Sequence, residues 1–303
     1  MISLRQLRYL DALAVTGHFG RAAELAGISQ PALSMQIRDM EIELGGALVE
    51  RKTSGATLTP LGQEVAARAR NILVAIRDLQ DLGHAHGGLL EGPLALGVIP
   101  SVAPYLLPGL LAGLQEHHPR LKLTVRESVT RRLVEELAAG SLDAIIVSVP
   151  LGVEDFVEAA AFDDPFLLAA PAGSPLADRP SVLTELIEAD ELLLLEDGHC
   201  LREQALQACH AIDQSRLRSF GATSLSTLLQ LVAAGQGVTL VPSIALASVA
   251  AADPRLRLKR FADPEPHRRI GLAWRKSSPR EQDFRALVDL IRQAAPARLE
   301  AVA

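Results

Sequence analysis

The sequence predicts an α/β protein in two parts: a small head bearing a winged helix-turn-helix, then a long helix leading to a larger two-lobed α/β domain. Three observations carry this. Leucines recur at helical spacing between glycine stops ahead of Gly45. A four-three alternation of apolar residues runs from Leu61 to Leu79. From Leu94 onward, short apolar runs alternate with helical stretches, as they do in α/β layers.

In the head, Leu4, Leu7, Leu10 and Leu13 share one helical face, and Gly17 stops that helix. Arg21 to Ala26 reads as a short second helix halted by Gly27. Ser29 is an N-cap for a third, with Pro31 in its first turn, Leu33, Ile37, Met40 and Leu44 facing inward, and Gly45 at its end. The opposite face shows Gln30, Ser34 and Arg38 to solvent. Two helices joined by a tight glycine turn are the sequence form of a helix-turn-helix, whose second helix enters the major groove, where Gln and Arg read base edges. A plain three-helix unit with solvated polar faces has the same pattern. Leu48 to Pro60, with Arg51, Lys52 and a turn at Gly55, suits a two-stranded wing whose cations touch phosphate.

Leu61, Val65, Ala69, Ile72, Ile76 and Leu79 then form a coiled-coil seam of roughly three heptads. Val65, Ala69, Ile72, Ile76 and Leu79 are expected to pair two copies, since two heads read two half-sites of double-stranded DNA. Gly83, Gly87, Gly88 and Gly92 break the helix. The expected divisions are a head at 1–60, a linker helix and hinge at 61–91, and an effector domain at 92–303.

In that last part Leu94–Ile99, Leu121–Val125, Leu142–Val149 and Phe166–Ala170 suit strands, alternating with helices near Tyr105–Glu116 and Arg131–Ala139. A second set follows: strands at Glu191–Leu195, Leu217–Phe220 and Val238–Val241, with helices at Leu201–Ala211 and Leu225–Ala234. The alternation indicates mostly parallel sheets. Arg269–Trp274 and a helix at Glu281–Ala295 return to the first set. The lobes are therefore 92–162 plus 267–303 and 163–266, with crossovers near 163 and 266 and a ligand cleft between them.

Composition sets bounds on this picture. The chain has 303 residues, 49% hydrophobic and 22% charged, the balance of a soluble globular protein. No apolar run is long enough for a bilayer, and the N-terminus lacks a signal-peptide pattern, so a cytoplasmic protein away from membranes is expected. Net charge is −6, yet residues 1–90 hold nine basic and nine acidic residues; the other 21 of 30 basic and 27 of 36 acidic residues carry the whole deficit. A neutral head on an acidic body permits nucleic-acid binding without demonstrating it.

The two cysteines, Cys200 and Cys209, stand nine positions apart in Glu196-Asp197-Gly198-His199-Cys200-Leu201-Arg202 and the segment that follows. Thiolates form beside cationic or donor groups, which makes Cys200, between His199 and Arg202, the attacking sulfur and Cys209 the resolving one. On a helix, positions nine apart lie about 13.5 Å along the axis on opposite faces, whereas a disulfide needs Cα atoms about 5.5 Å apart. A bond between them requires that segment to unwind, so it would act as a switch. Three other readings stay open at this point: two inert buried thiols, a metal site from His199, Cys200, Cys209 and His210, or a cysteine hydrolase.

Residues 1 to 60, with Arg21-Ala22-Ala23, Ile28-Ser29-Gln30-Pro31-Ala32-Leu33-Ser34 and Leu58-Thr59-Pro60-Leu61-Gly62, resemble the head of the LysR-type transcriptional regulators. The resemblance implies a winged helix-turn-helix that reads promoter DNA with Gln30, Pro31, Ser34, Arg38, Arg51 and Lys52. It also implies a dimerising linker helix, an effector domain like a periplasmic binding protein, a homotetramer, and RNA polymerase as a partner. Within the family the cysteine segment, Ile99-Pro100-Ser101, Tyr105-Leu106-Leu107-Pro108, Ala222-Thr223-Ser224-Leu225 and Val232-Ala233-Ala234-Gly235 are similar to the hydrogen-peroxide sensors. For those, Cys200 is oxidised to a sulfenic acid, Cys209 condenses with it, and the intervening segment refolds. Ser101, Thr130, His199 and Arg202 would hold and polarise the peroxide. Ser101 stands where threonine is expected, and Ser219 where some members carry histidine. No cofactor or metal is implied; a thioredoxin- or glutaredoxin-like reductant is. The rivals are a regulator binding an organic effector in the cleft, and a thiol peroxidase, which would need no DNA-binding head.

Overall fold

In the computed structural model, residues 1–52, 55–85, 88–209, 214–217, 221–250 and 253–296 are described. Gly87, His210, Ser219 and most of the strand expected at Leu217–Phe220 lie outside the described residues. The chain packs as two units, Met1–Gly83 and His84–Ala303.

The first unit opens with α1 (Leu4–Thr16), α2 (Phe19–Ala26) and α3 (Gln30–Leu44), which end at Gly17, Gly27 and Gly45. α2 starts two residues before the expected Arg21 because the His18 side chain caps it, accepting from the Gly20 N–H. Ser29 caps α3 through the Ala32 N–H. Leu10, Leu13, Leu33, Ile37 and Met40 form the head's core. β1 (Val49–Lys52) and β2 (Gly55–Leu58) pair antiparallel as the wing. Glu41 anchors the wing's base by accepting from the Leu48 and Val49 N–H groups.

α4 (Pro60–Ala85) follows directly. Gly62 sits in its first turn because a Cβ there would collide with the Leu48 carbonyl, which accounts for the glycine in Leu58-Thr59-Pro60-Leu61-Gly62. Ala66 and Ala69 are buried in the head's own core and Val65 packs at its edge. The seam expected over Val65–Leu79 is therefore corrected at its start: this stretch covers α1 to α3. Ile72 is 46% and Leu79 66% exposed, and Ile76 is half-buried.

The second unit is built on one sheet. β3 (Gly92–Val98), α5 (Ala103–His117), β4 (Leu121–Glu127), α6 (Thr130–Ala138) and β5 (Ala144–Val149) make its first half. β6 (Phe156–Pro171) is a single long strand where only Phe166–Ala170 was expected. Then come α7 (Cys200–Ala208), α8 (Leu225–Ala233), β7 (Thr239–Pro242), α9 (Leu246–Ala250), β8 (Leu256–Arg260), β9 (His267–Arg275) and α10 (Glu281–Ala294). Strand order is β4-β3-β5-β9-β6-β7, with β8 also on β6.

Mostly parallel sheets were expected, and the structure corrects this. Among the described pairings β3–β4 and β3–β5 are parallel, while β5–β9, β6–β9, β6–β7 and β6–β8 are antiparallel. The cause is β6, which pairs with β9 from Phe156 to Pro165 and then with β7 and β8 from Phe166 onward. Two cores result: one under β3, β5 and β9, the other around Phe166, Leu168 and α8, with Tyr105 packed against both. Glu191–Leu195, expected as a strand, makes only an isolated bridge from Leu192 to Val238.

Candidate functional site

α7 carries the first cysteine. Gly198, at φ +93, turns the chain into it. His199 occupies the N-cap position without a side-chain capping bond, and Cys200 is the first helical residue. The first-turn amides of a helix offer stabilisation to negative charge at that point. The helix stops at Ala208 rather than Ala211, and Cys209 forms its C-cap, its N–H bonded to the Ala205 carbonyl.

Cys200 is half-buried beside the first core, whereas Cys209 is 3% exposed inside the second. Burial pushes the Cys209 thiol up to about 11, and the negative charge of Glu185 adds to this. Cys209 is thus held as a neutral thiol, a poor nucleophile.

Around Cys200 the fold gathers residues from three separate segments. Ser101 from the turn after β3, Thr130 from the start of α6, and His199 line a pocket of about 10 Å³ with Cys200, Ile99, Pro100, Val129 and Leu201. That is room for about one water-sized molecule. Val129, not Thr130, takes the N-cap position of α6, so the capping role that Thr130 could play is not used. Its hydroxyl oxygen is buried with no hydrogen-bond partner among the described residues.

Arg202 is not brought into this pocket. Its guanidinium donates to the Leu195 carbonyl at 3.1 Å and pairs with Asp197 at 2.8 Å, stapling the loop ahead of α7. The cation at the site is instead Arg268, 3% exposed, which donates to the Ser101 hydroxyl at 2.7 Å and to its carbonyl at 3.2 Å. Arg268 also pairs with Asp164, which is fully buried. Burial pushes the Asp164 carboxyl up, against the opposing pull of Arg268 and of the Ile244 and Ser243 amides. Sequence reading missed both residues: Arg268 lies in a basic run, His267-Arg268-Arg269, where nothing marks which arginine turns inward.

On its outer side Cys200 also borders a cleft of about 980 Å³ with Arg131, Gln204, Arg268 and Arg269 on its walls. The Gln204 side-chain oxygen is buried and unpartnered among the described residues.

On the head, Gln30, Pro31 and Arg38 are exposed along α3 and Ser34 is half-buried. Arg51 donates to the Ser34 hydroxyl at 2.8 Å and lies 4.7 Å over the Phe19 ring. It ties wing to helix instead of reaching freely outward. Lys52 is in β1, and its side chain lies outside the described part of the structure.

Residues 4–63 match the helix-turn-helix model of bacterial regulatory proteins of the lysR family, and residues 87–296 match the LysR substrate binding domain. The chain belongs to the LysR family. Members of this family are DNA-binding transcription regulators, and this LysR-family chain is 39% identical over 291 residues to the DNA-binding transcriptional dual regulator OxyR of Escherichia coli, covering 96% of this chain and 95% of that one. Its fold is similar to a full-length OxyR variant of Pseudomonas aeruginosa with one cysteine-to-aspartate substitution: TM-score 0.78, 36% identity, 97% of both chains covered. It is also similar to a cysteine-to-serine OxyR variant of Corynebacterium glutamicum with hydrogen peroxide bound: TM-score 0.68, 34% identity, 96% and 92% covered. Among the described helices none is long and apolar enough to cross a membrane.

Proposed function

We propose that this LysR-family protein is a cytoplasmic transcriptional regulator that senses hydrogen peroxide through Cys200. The observation that carries the reading is the small pocket that Cys200 shares with Ser101 and Thr130, the Thr130 hydroxyl oxygen being buried without a partner among the described residues. A pocket of this size excludes bulky oxidants. Its two hydroxyls can donate to or accept from a small dihydroxy molecule.

In the reaction, the Cys200 thiolate attacks one peroxide oxygen and the O–O bond breaks. The sulfur bonds to that hydroxyl as a sulfenic acid, and the second oxygen departs as hydroxide, which takes a proton to become water. Ser101, Thr130 and His199 hold the peroxide, while Arg202 keeps the loop bearing His199 in place. Cys209 then attacks the sulfenic sulfur and a second water is released, giving the Cys200–Cys209 disulfide. Because Cys200 opens α7 and Cys209 caps its far end, that step unwinds the helix. A thioredoxin- or glutaredoxin-like protein resets the thiols, so turnover is slow and the protein acts as a switch, not an enzyme.

On DNA, Gln30, Pro31, Ser34 and Arg38 read the major groove, with Arg51 and Lys52 at the backbone. Ile72, Ile76 and Leu79 pair two chains, two dimers form a tetramer over paired half-sites, and RNA polymerase is the downstream partner. A second reading rests on the large cleft beside Cys200, whose Arg131, Arg268 and Arg269 would suit an organic anion.

Intact and peptide mass spectrometry before and after brief, stoichiometric peroxide tests the proposal. The expected result is loss of two hydrogens, mapped to a cross-linked Cys200–Cys209 peptide. Two thiols that stay alkylatable at unchanged mass would overturn it and leave the cleft as the effector site.

A further inference from the structure

We propose that Asp164 is a positioning residue for peroxide oxidation: acting through Arg268, it fixes the Ser101 hydroxyl as a hydrogen-bond donor into the pocket at Cys200. The inference rests on the peroxide reading above and names a residue that does not touch the peroxide.

The geometry is a chain of three buried groups. Asp164, Arg268 and Ser101 are 0%, 3% and 7% exposed. One carboxylate oxygen of Asp164 receives the Arg268 Nε–H at 3.0 Å and faces Nη2 at 3.0 Å. The other accepts the Ile244 N–H at 2.9 Å. The far side of the same guanidinium donates through Nη1 to the Ser101 hydroxyl and through Nη2 to the Ser101 carbonyl. β6, β9, the turn after β3 and the turn at Ser243–Ala245 therefore meet at one ion pair.

The chemistry follows from what each group is able to do. A guanidinium donates and never accepts. The Ser101 oxygen must therefore be the acceptor in its bond to Arg268, and its single proton is left for a different partner. No other hydrogen bond of this hydroxyl occurs among the described residues. Ser101 lines the same small pocket as Cys200 and Thr130. A peroxide there receives that proton as a hydrogen bond on the oxygen that leaves, where negative charge develops when the thiolate takes the other. Thr130, whose hydroxyl oxygen has no partner among the described residues, remains able to accept from the peroxide.

Asp164 makes this arrangement persist. Arg268 also borders the open cleft, and a buried guanidinium without its counter-charge gains by turning toward water. Its fork would then leave Ser101, whose hydroxyl could rotate and whose proton would no longer be committed to the pocket. The carboxylate holds the fork at two points, and the backbone amide of Ile244 holds the carboxylate.

The test uses the full-length protein. Two second-order rates are measured on Cys200 at one pH, oxidation by hydrogen peroxide and alkylation by iodoacetamide, both read by peptide mass spectrometry. Asp164→Asn keeps an acceptor for Ile244 but removes the charge. It is expected to slow peroxide oxidation about tenfold or more while alkylation changes by less than about twofold. Ser101→Ala should show the same selective loss, and adding Asp164→Asn to it should cost nothing further. Asp164→Glu, which keeps the charge, should restore part of the peroxide rate. Unchanged peroxide oxidation in Asp164→Asn, or both rates falling together, would overturn the inference. If Asp164→Asn melts below the assay temperature, Ser101→Ala and Asp164→Glu decide: loss of selectivity in neither rejects it. A wild-type Cys200 that ignores stoichiometric peroxide rejects the sensing reading itself, which is a separate outcome.

Discussion

Cys200 is the first residue of the nine-residue helix α7, Cys209 caps its far end, and the two pack against different hydrophobic cores. Joining them takes Cys209 out of the second core as well as unwinding α7. The reduced form is thus secured twice, by helical hydrogen bonds and by burial of the resolving thiol.

Burial of Cys209 has a pH signature. Its thiol ionises near 11 in the fold against 9.0 for an exposed cysteine, with burial the main cause and Glu185 the second. Between those values the folded chain keeps a proton that the unfolded chain has lost, so stability falls as pH rises through that window and is fully present below it. The loss should reach about 2 to 3 kcal/mol in urea unfolding of the reduced protein. Cys209→Ala should remove that component of the slope.

Thr130→Val separates function from stability. Its hydroxyl oxygen is buried without a partner among the described residues, so replacing it with a methyl should leave the melting temperature unchanged or raise it. Peroxide oxidation of Cys200 should nevertheless slow by about tenfold or more. A variant as fast as wild type would remove Thr130 from the peroxide site.

Arg51 joins the wing to α3 through Ser34 and Phe19. Arg51→Lys keeps the charge but not the fork. On a fixed duplex its affinity should fall roughly threefold to tenfold with the salt slope unchanged. Arg51→Ala should fall further and lower that slope by about 1 if the cation also meets phosphate. Fluorescence anisotropy across a salt series distinguishes the two contributions.

Two substitutions on α4 should behave oppositely. Leu79→Asp, on an exposed apolar position, should leave the fold intact and lower the mass in light scattering to that of a smaller assembly. Ala69→Asp places a charge in the head's own core and should destabilise the protein by about 3 kcal/mol or more. An unchanged mass for Leu79→Asp would place the pairing surface elsewhere.

The head was legible because its signals are local: Ser29, Gly17, Gly27 and Gly45 mark helix ends by chemistry that acts within a few residues. The seam at Ala69 was misassigned because a four-three repeat does not say whether its partner is another copy or the same chain. Thr130 and Ser101 entered through resemblance, and the fold does bring both to Cys200. Arg268 and Asp164 escaped notice because their meaning lies in one ion pair across 104 residues of sequence. Arg202 was named by adjacency and by resemblance together, yet its guanidinium turns back to Leu195 and Asp197 and does not line the pocket at Cys200. The antiparallel bias of the sheet was hidden in β6, whose first half, Glu158-Ala159-Ala160-Ala161, does not look like a strand.

β6 belongs to both halves of the sheet, changing partners between Pro165 and Phe166 without a break in the strand. A continuous strand has little freedom to fold over, but it twists readily about its own axis. Mechanically the two lobes are therefore mounted on a torsion bar. No slack loop interrupts the strand between Asp164 and Phe166, so a rotation of one lobe about that axis would pass directly to the strand that carries the other.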